Sequence, residues 1–121
     1  MTTDANPIDI VIIGAGPIGL ACAIEAQKHN LTYVVLEKGT VVNSIFHYPV
    51  NMTFFSTSER LEIGNVPFVS NNAKPTRNEA LEYYRRVAQH FQLQLRLFET
   101  AEDVQRTNAG YSITTTKAVY A

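Results

Sequence analysis

A single cysteine, Cys22, stands among the 121 residues, so no disulfide can close within the chain, and this usage suits a reducing compartment. Charge of one sign is not in excess: ten basic residues face eleven acidic ones along the chain, for a net charge of −1. That balance offers no basic surface to nucleic acid or to an anionic membrane. Long apolar runs are missing. Ile8–Ile13 is too short for a signal or a membrane span, and Met1–Pro7 before it carries no basic residue, so the cytoplasm is the expected compartment. There is no C-x-x-C pair, no metal-ligand cluster, no internal repeat and no low-complexity linker. The chain reads as one continuous unit, short for an enzyme acting alone.

What is present is concentrated near the start. Ile8-Asp9-Ile10-Val11-Ile12-Ile13 is a β-branched run suited to a buried strand, and it breaks at Gly14-Ala15-Gly16-Pro17-Ile18-Gly19 before an Ala-rich helical segment. Gly14, Gly16 and Gly19 match G-x-G-x-x-G. In that fingerprint the first glycine turns the chain, the second admits a pyrophosphate, and the third lets helix meet strand. Pro17 fits the first helical turn because its missing N–H would have lacked a partner there anyway. The helix, Pro17 to about His29, leads to Leu31-Thr32-Tyr33-Val34-Val35-Leu36 and Glu37, which places a carboxylate at the spacing that accepts hydrogen bonds from an adenosine ribose. Strand, helix, strand and acid together predict a Rossmann-like βαβ unit binding a dinucleotide. The competing account is a plain glycine turn in an α/β core, with Glu37 solvated.

Along the rest of the chain, residues 1–7 read as a frayed lead-in. Leu20, Ala21 and Ile24 are expected to face the sheet, with Glu25, Gln27 and Lys28 in water and Asn30 in the left-handed turn that ends the helix. Cys22, near a helix N-terminus, could be a reactive thiol; a buried small hydrophobe is the expected state. Lys38 to Pro75 shows no clear periodicity. Its aromatics, Phe46, Tyr48, Phe54, Phe55 and Phe68, could wall a fused-ring ligand beside His47, Asn51 and Ser56, or could form a satellite core. Thr76-Arg77-Asn78-Glu79 is a capping box after Pro75. It opens a helix with Ala80, Leu81, Tyr84, Val87, Ala88 and Phe91 on one face and Glu82, Arg85, Arg86 and Gln89 on the other, where Arg85 and Arg86 could meet a phosphate but a solvated face is the expectation. Leu93, Leu95 and Leu97 alternate with polar residues, predicting a strand to about Phe98. Extended runs on either side of Asn108-Ala109-Gly110 predict an antiparallel ribbon, and Val119-Tyr120 begins a further element.

The chain resembles a known family. The fingerprint, Val35-Leu36-Glu37-Lys38-Gly39, Phe54-Phe55-Ser56-Thr57-Ser58, Ile63-Gly64-Asn65-Val66-Pro67-Phe68 and Ile113-Thr114-Thr115-Thr116-Lys117 look like the thioredoxin-reductase-like flavoproteins called bacillithiol-disulfide reductases, over nearly the whole length. The resemblance implies an incomplete flavoprotein of the two-dinucleotide-domain type: an α/β fold with a parallel sheet plus a short antiparallel ribbon. Residues 1–121 would be the N-terminal part of its FAD-binding domain, with the NAD(P)H domain and a C-terminal FAD segment absent. It implies FAD, with NAD(P)H as co-substrate, and a small disulfide or other electron acceptor as partner. It is compatible with a homodimer of the full-length protein. Gly14, Ala15, Gly16, Pro17, Ile18 and Gly19 would surround the pyrophosphate, Glu37 the ribose, with Lys38 following. Tyr48 would approach the flavin beside Asn43, Ser44 and His47, and the main chain at Ala101 would meet the adenine.

Two departures stand out. Family members commonly place a cysteine between the proline and the last glycine of the fingerprint, where this chain has Ile18. An aliphatic side chain cannot exchange with a disulfide, and Cys22 lies one helical turn deeper. The second departure is length. By resemblance the absent strands would flank the first one, leaving Ile8–Ile13 as an unpaired apolar edge prone to aggregation and the chain as a half-site. The function expected is therefore the FAD-binding portion of an NAD(P)H-dependent flavin oxidoreductase. A flavin monooxygenase N-terminal part and an NAD-binding module without catalysis of its own are the alternatives. No catalytic residue and no metal ligand is assigned.

Overall fold

The computed structural model describes residues 2–3 and 7–121. In chain order the elements are β1 (Thr2–Thr3), β2 (Ile10–Ile13), α1 (Pro17–Lys28), β3 (Tyr33–Leu36), α2 (Asn43–Phe46), α3 (Ser58–Leu61), α4 (Arg77–His90), β4 (Leu95–Arg96), β5 (Ala101–Thr107), β6 (Gly110–Thr115) and β7 (Ala118–Tyr120). They form two sheets. One is parallel, in the order β2-β3-β4; the other runs β1-β7-β6-β5, with β5, β6 and β7 antiparallel and β1 parallel to β7.

The strand period of two decides which side each residue serves. Val35 packs into the larger core with α1 and α4, joined by Ile12 and Tyr33. Val34 and Leu36 point the other way, onto Ile113, Ala118 and Tyr120 of the second sheet, with Val11 and Ile8. Three layers result: helices, parallel sheet, antiparallel sheet. A β3 built from Tyr, Val, Val and Leu is what a strand covered on both faces requires, and truncating Leu36 to Ala would cost about 2–5 kcal/mol.

Among the described residues, no helix is long and apolar enough to cross a membrane. The helix α1 buries Leu20, Ala23, Ile24 and Ala26, and Asn30 at φ 56° ends it in the left-handed region as expected. The capping box forms: Thr76 Oγ1 accepts from the Glu79 amide at 3.2 Å, and Glu79 Oε1 accepts from the Thr76 amide at 3.0 Å. Such a cap is worth about 1 kcal/mol. The buried face of α4 is the expected one, with Tyr83 added; Arg85 and Arg86 belong to the solvated face, lying over the Phe46 and Tyr83 rings.

Several expectations are corrected. Cys22 is exposed, not buried, because the smaller Ala23 and Ala26 take the sheet-facing positions. The strand predicted to reach Phe98 stops at Arg96: its ladder partner β3 ends at Leu36, and the chain turns at Leu97–Phe98 with Phe98 at φ 55°. Within the segment from Lys38 to Pro75 lie α2 and α3. Of the lead-in, Thr2–Thr3 pairs with Ala118–Val119, while residues 1 and 4–6 lie outside the described residues. Among the described residues the unpaired edge on the β2 side is Ile10–Ile13, since the Ile8 amide donates to the Ala121 carbonyl at 3.0 Å.

Candidate dinucleotide site

The site grows from the end of β2. Gly14 sits at φ +108°, a backbone conformation that disfavours any side chain, and its amide donates to the Leu36 carbonyl at 2.8 Å. A Cβ on Gly19 would run into the Gly14 carbonyl, so glycine there is what lets α1 lie against β2. A Cβ on Gly16 would meet nothing within 4 Å: that side of the turn is open. The first intrahelical bond of α1 runs from the Leu20 amide to the Gly16 carbonyl at 2.9 Å. The amides of Gly16, Ile18 and Gly19 therefore precede it, next to the open space, and the helix dipole adds partial positive charge there. A backbone cradle of this kind fits a diphosphate.

Glu37 follows β3 and is buried, 6% exposed. Its Oε1 accepts from the Ala15 amide at 2.9 Å and its Oε2 from the Gly39 amide at 2.7 Å. The carboxylate thus ties the fingerprint turn to the loop after β3. Each oxygen keeps a lone pair for a further donor, such as a sugar hydroxyl.

Both features open into one cleft of about 540 Å³. Gly14, Gly16, Pro17, Ile18, Glu37, Lys38, Asn43, Ser44 and Tyr48 line it together. Ala15 and Gly19 stand behind that lining, His47 caps α2 with its ring edge-on to Phe46, and Ala101 begins β5 outside the cleft. Of the aromatic segment, Tyr48 and Phe54 face the cleft as a tilted pair 6.2 Å apart. Phe68 is core, stacked on Tyr83 at 4.4 Å; Phe55 and Phe46 are exposed. The ligand-wall and satellite-core accounts each hold for part of the segment.

Sequence reasoning missed the far wall, which includes Arg60, Leu61, Glu62 and Ile63. Two tyrosines of α4 fix it. The Tyr83 hydroxyl accepts from the Ile63 amide at 3.0 Å and donates to the Val66 carbonyl at 2.7 Å, while the Tyr84 hydroxyl donates to the Leu61 carbonyl at 2.7 Å. Burial, with Tyr83 alongside, pushes the Tyr84 hydroxyl up to about 12. Adjacent tyrosines at the edge of an apolar helix face were the available signal, since a buried hydroxyl needs a partner. Val42, at φ 47°, closes the near wall: its amide donates to the Ala15 carbonyl at 2.8 Å. For a β-branched residue that conformation is strained.

A glycine turn opening a helix beside a paired carboxylate is the dinucleotide cradle of the two-domain flavoprotein and pyridine nucleotide class. The chain belongs to the pyridine nucleotide-disulphide oxidoreductase family, whose model matches residues 11–121. A curated relative, bacilliredoxin reductase of Bacillus subtilis (strain 168), is 54% identical over 77 residues, covering 64% of this chain and 24% of the relative. The solved bacillithiol disulfide reductase of Staphylococcus aureus superposes with a TM-score of 0.91 at 46% identity, over 99% of this chain and 36% of that one. A probable indole-3-pyruvate monooxygenase of Arabidopsis thaliana is 30% identical over 101 residues, 78% of this chain and 23% of the relative. The chain thus spans about a quarter to a third of the length of these relatives. The resemblance to bacillithiol-disulfide reductases drawn from the motifs holds, and so does the mixed architecture of parallel sheet and antiparallel ribbon.

Proposed function

We propose that this chain is the FAD-binding portion of an NAD(P)H-dependent flavin oxidoreductase of the bacillithiol-disulfide reductase type. The observation that carries the reading is the joining of the open Gly14–Gly19 turn, the amide-held Glu37 and the Tyr48–Phe54 pair in one cleft. The fingerprint amides receive the diphosphate and Glu37 the adenosine ribose, while Lys38 adds positive charge. Tyr48 and Phe54 offer an apolar wall to the flavin ring, and Asn43 and Ser44 offer polar groups to its edge. The flavin, when bound, supplies the redox chemistry, accepting hydride and passing electrons on; the chain's own residues orient it and exclude water. Residues 1–121 form the first part of the FAD-binding domain in this reading, and the nicotinamide site, the acceptor and any subunit partner belong to the intact protein in the cytoplasm.

One observation favours a second reading. Ile18, 82% exposed, presents an aliphatic side chain at the cleft where a disulfide-exchanging group would stand. A flavin that hands its electrons to oxygen, as in a monooxygenase, needs no such group. The test is titration of the apoprotein with FAD, then steady-state NADPH oxidation by the intact protein with a bacillithiol disulfide or with oxygen as acceptor. The proposal expects flavin absorption bands that co-purify with the protein and disulfide-dependent turnover. Turnover that consumes oxygen in step with substrate oxygenation would move the assignment to the second reading, and an apoprotein that takes up no FAD would end both.

A further inference from the structure

The cleft's apolar wall stands on a weakly built stretch. From His47 to Phe54 the chain runs in turns, its only ladder contact among the described residues being the bridge Thr53↔Thr76, and yet it carries both Tyr48 and Phe54. Two rings on such a stretch keep their spacing only if bonds from elsewhere hold its ends. Those bonds come from the start of α4. The Phe54 amide donates to the Pro75 carbonyl at 2.9 Å, and the Arg77 amide donates to the Met52 carbonyl at 2.9 Å. The other end is held by the same residue's side chain: Arg77 Nε donates to the Ile45 carbonyl at 3.4 Å and Nη2 to the Phe46 carbonyl, at the end of α2. One residue thus grips the chain just before the stretch begins and again near where it ends.

Arginine is an unexpected residue there. Arg77 opens α4, where the helix dipole disfavours a cation. Its guanidinium instead reaches the last carbonyls of α2, which need donors and favour positive charge. Nη1 donates to Asn78 Oδ1 at 2.8 Å, and Cζ lies 5.5 Å from the centre of the Phe46 ring. Three bonds from one rigid plane give the fork a single orientation, which the point charge of a lysine would not keep. Arg85 also lies over that ring, at 5.7 Å, without a bond to α2 among the described residues.

We propose that Arg77, which does not itself line the cleft, is a positioning residue for the bound flavin: by bracketing residues 47–54 it sets where Tyr48 and Phe54 meet the ring system. The proposal rests on the flavin reading above and deepens it, naming what holds that wall in place. Losing the fork leaves Glu37 untouched, because the Ala15 and Gly39 amides hold that carboxylate. The effect therefore falls on the flavin end of the cofactor and spares the adenosine diphosphate end.

The experiment compares the intact wild-type protein with Arg77→Lys, Arg77→Gln, Arg85→Lys, Tyr48→Leu and the double variant joining Arg77→Lys to Tyr48→Leu. FAD and ADP are titrated, and the emission of bound FAD is read, since a phenol ring against a flavin quenches it. Both Arg77 variants keep the main-chain bond to Met52, so ADP binding within about twofold of wild type reports a folded cradle. Arg77→Lys and Arg77→Gln are each expected to weaken FAD about tenfold and to brighten its emission, with Arg85→Lys matching wild type. Because Arg77 acts through Tyr48, Arg77→Lys should add much less than its own loss on top of Tyr48→Leu. Unchanged FAD affinity and emission in the Arg77 variants would overturn the proposal, as would equal losses for FAD and ADP, an equal loss in Arg85→Lys, or losses that simply add in the double variant. Wild-type protein that binds ADP but no FAD would overturn the flavin reading, and this proposal with it.

Discussion

Two buried glutamates, Glu37 and Glu99, sit back to back at one end of the parallel sheet, their main chains joined by the 2.9 Å bond from the Glu99 amide to the Glu37 carbonyl. Their surroundings differ in kind. Glu37 is held by two backbone amides, of Ala15 and Gly39, and faces the cleft. Glu99 is held by two hydroxyls: Thr115 donates at 2.6 Å and Tyr120 at 2.8 Å, closing the turn between β6 and β7 against β5. An amide cannot reverse its role, and the two amides take one Glu37 oxygen each, whereas both hydroxyls donate to a single Glu99 oxygen, Oε2. One carboxylate is therefore obligatory as an acceptor and the other is exchangeable, although both are buried acids at neighbouring positions in the fold.

Substitutions can break that contrast. The largest effect is expected for Glu37→Gln, which turns an NH2 against a backbone N–H. We expect about 3 kcal/mol of lost stability in urea unfolding and FAD binding weaker by about a hundredfold. Intact stability would mean that the amides had found other acceptors and would dissolve the distinction. Next, Glu99→Ala strands the buried Tyr120 hydroxyl and leaves Thr115 only the Ala118 carbonyl to donate to; it should cost about 2 kcal/mol while leaving FAD affinity within about twofold. A large loss of affinity there would couple the two acids more closely than their geometry suggests. Alkaline titration should show a smaller effect. Burial, helped by the Glu99 carboxylate, raises Tyr120 above its usual 10, and burial takes Tyr84 to about 12. The unfolded chain gives up these protons first, so the stabilisation is whole below pH 10 and drains away as pH climbs towards 12. Unfolding midpoints across that window would reveal it, and Tyr84→Phe should flatten the slope. Smallest is Glu99→Gln, where both hydroxyls, which meet the one oxygen Oε2, go on donating to an amide oxygen placed there; less than about 1 kcal/mol is expected.

The same contrast explains what could be read in advance. Features that rest on local chemistry were legible: the glycine turn, the Thr76–Glu79 box, the left-handed Asn30, and the hairpin around Asn108-Ala109-Gly110, seen as β5 and β6. Each needs only a few consecutive residues. The bonds of Glu99 to Thr115 and Tyr120, and of Tyr83 and Tyr84 to the 61–66 segment, join residues far apart in the chain, and nothing in the local pattern announces them. The Leu93-Leu95-Leu97 alternation misled for a related reason. All three leucines do pack towards the helix-side core, but pairing lasts only while β3 has residues to offer. Of the cleft, the glycine wall and Glu37 were legible; the wall from Arg60 to Ile63 was not, because α4 hydroxyls position it.

Cys22 projects from α1 into solvent, on the helix whose first turn bounds the cleft, and no second thiol competes with it anywhere in the 121 residues. A maleimide dye would attach there at one defined place in this chain without mutagenesis. Quenching of that dye by an arriving flavin would turn the wild-type polypeptide into its own optical gauge of cofactor uptake.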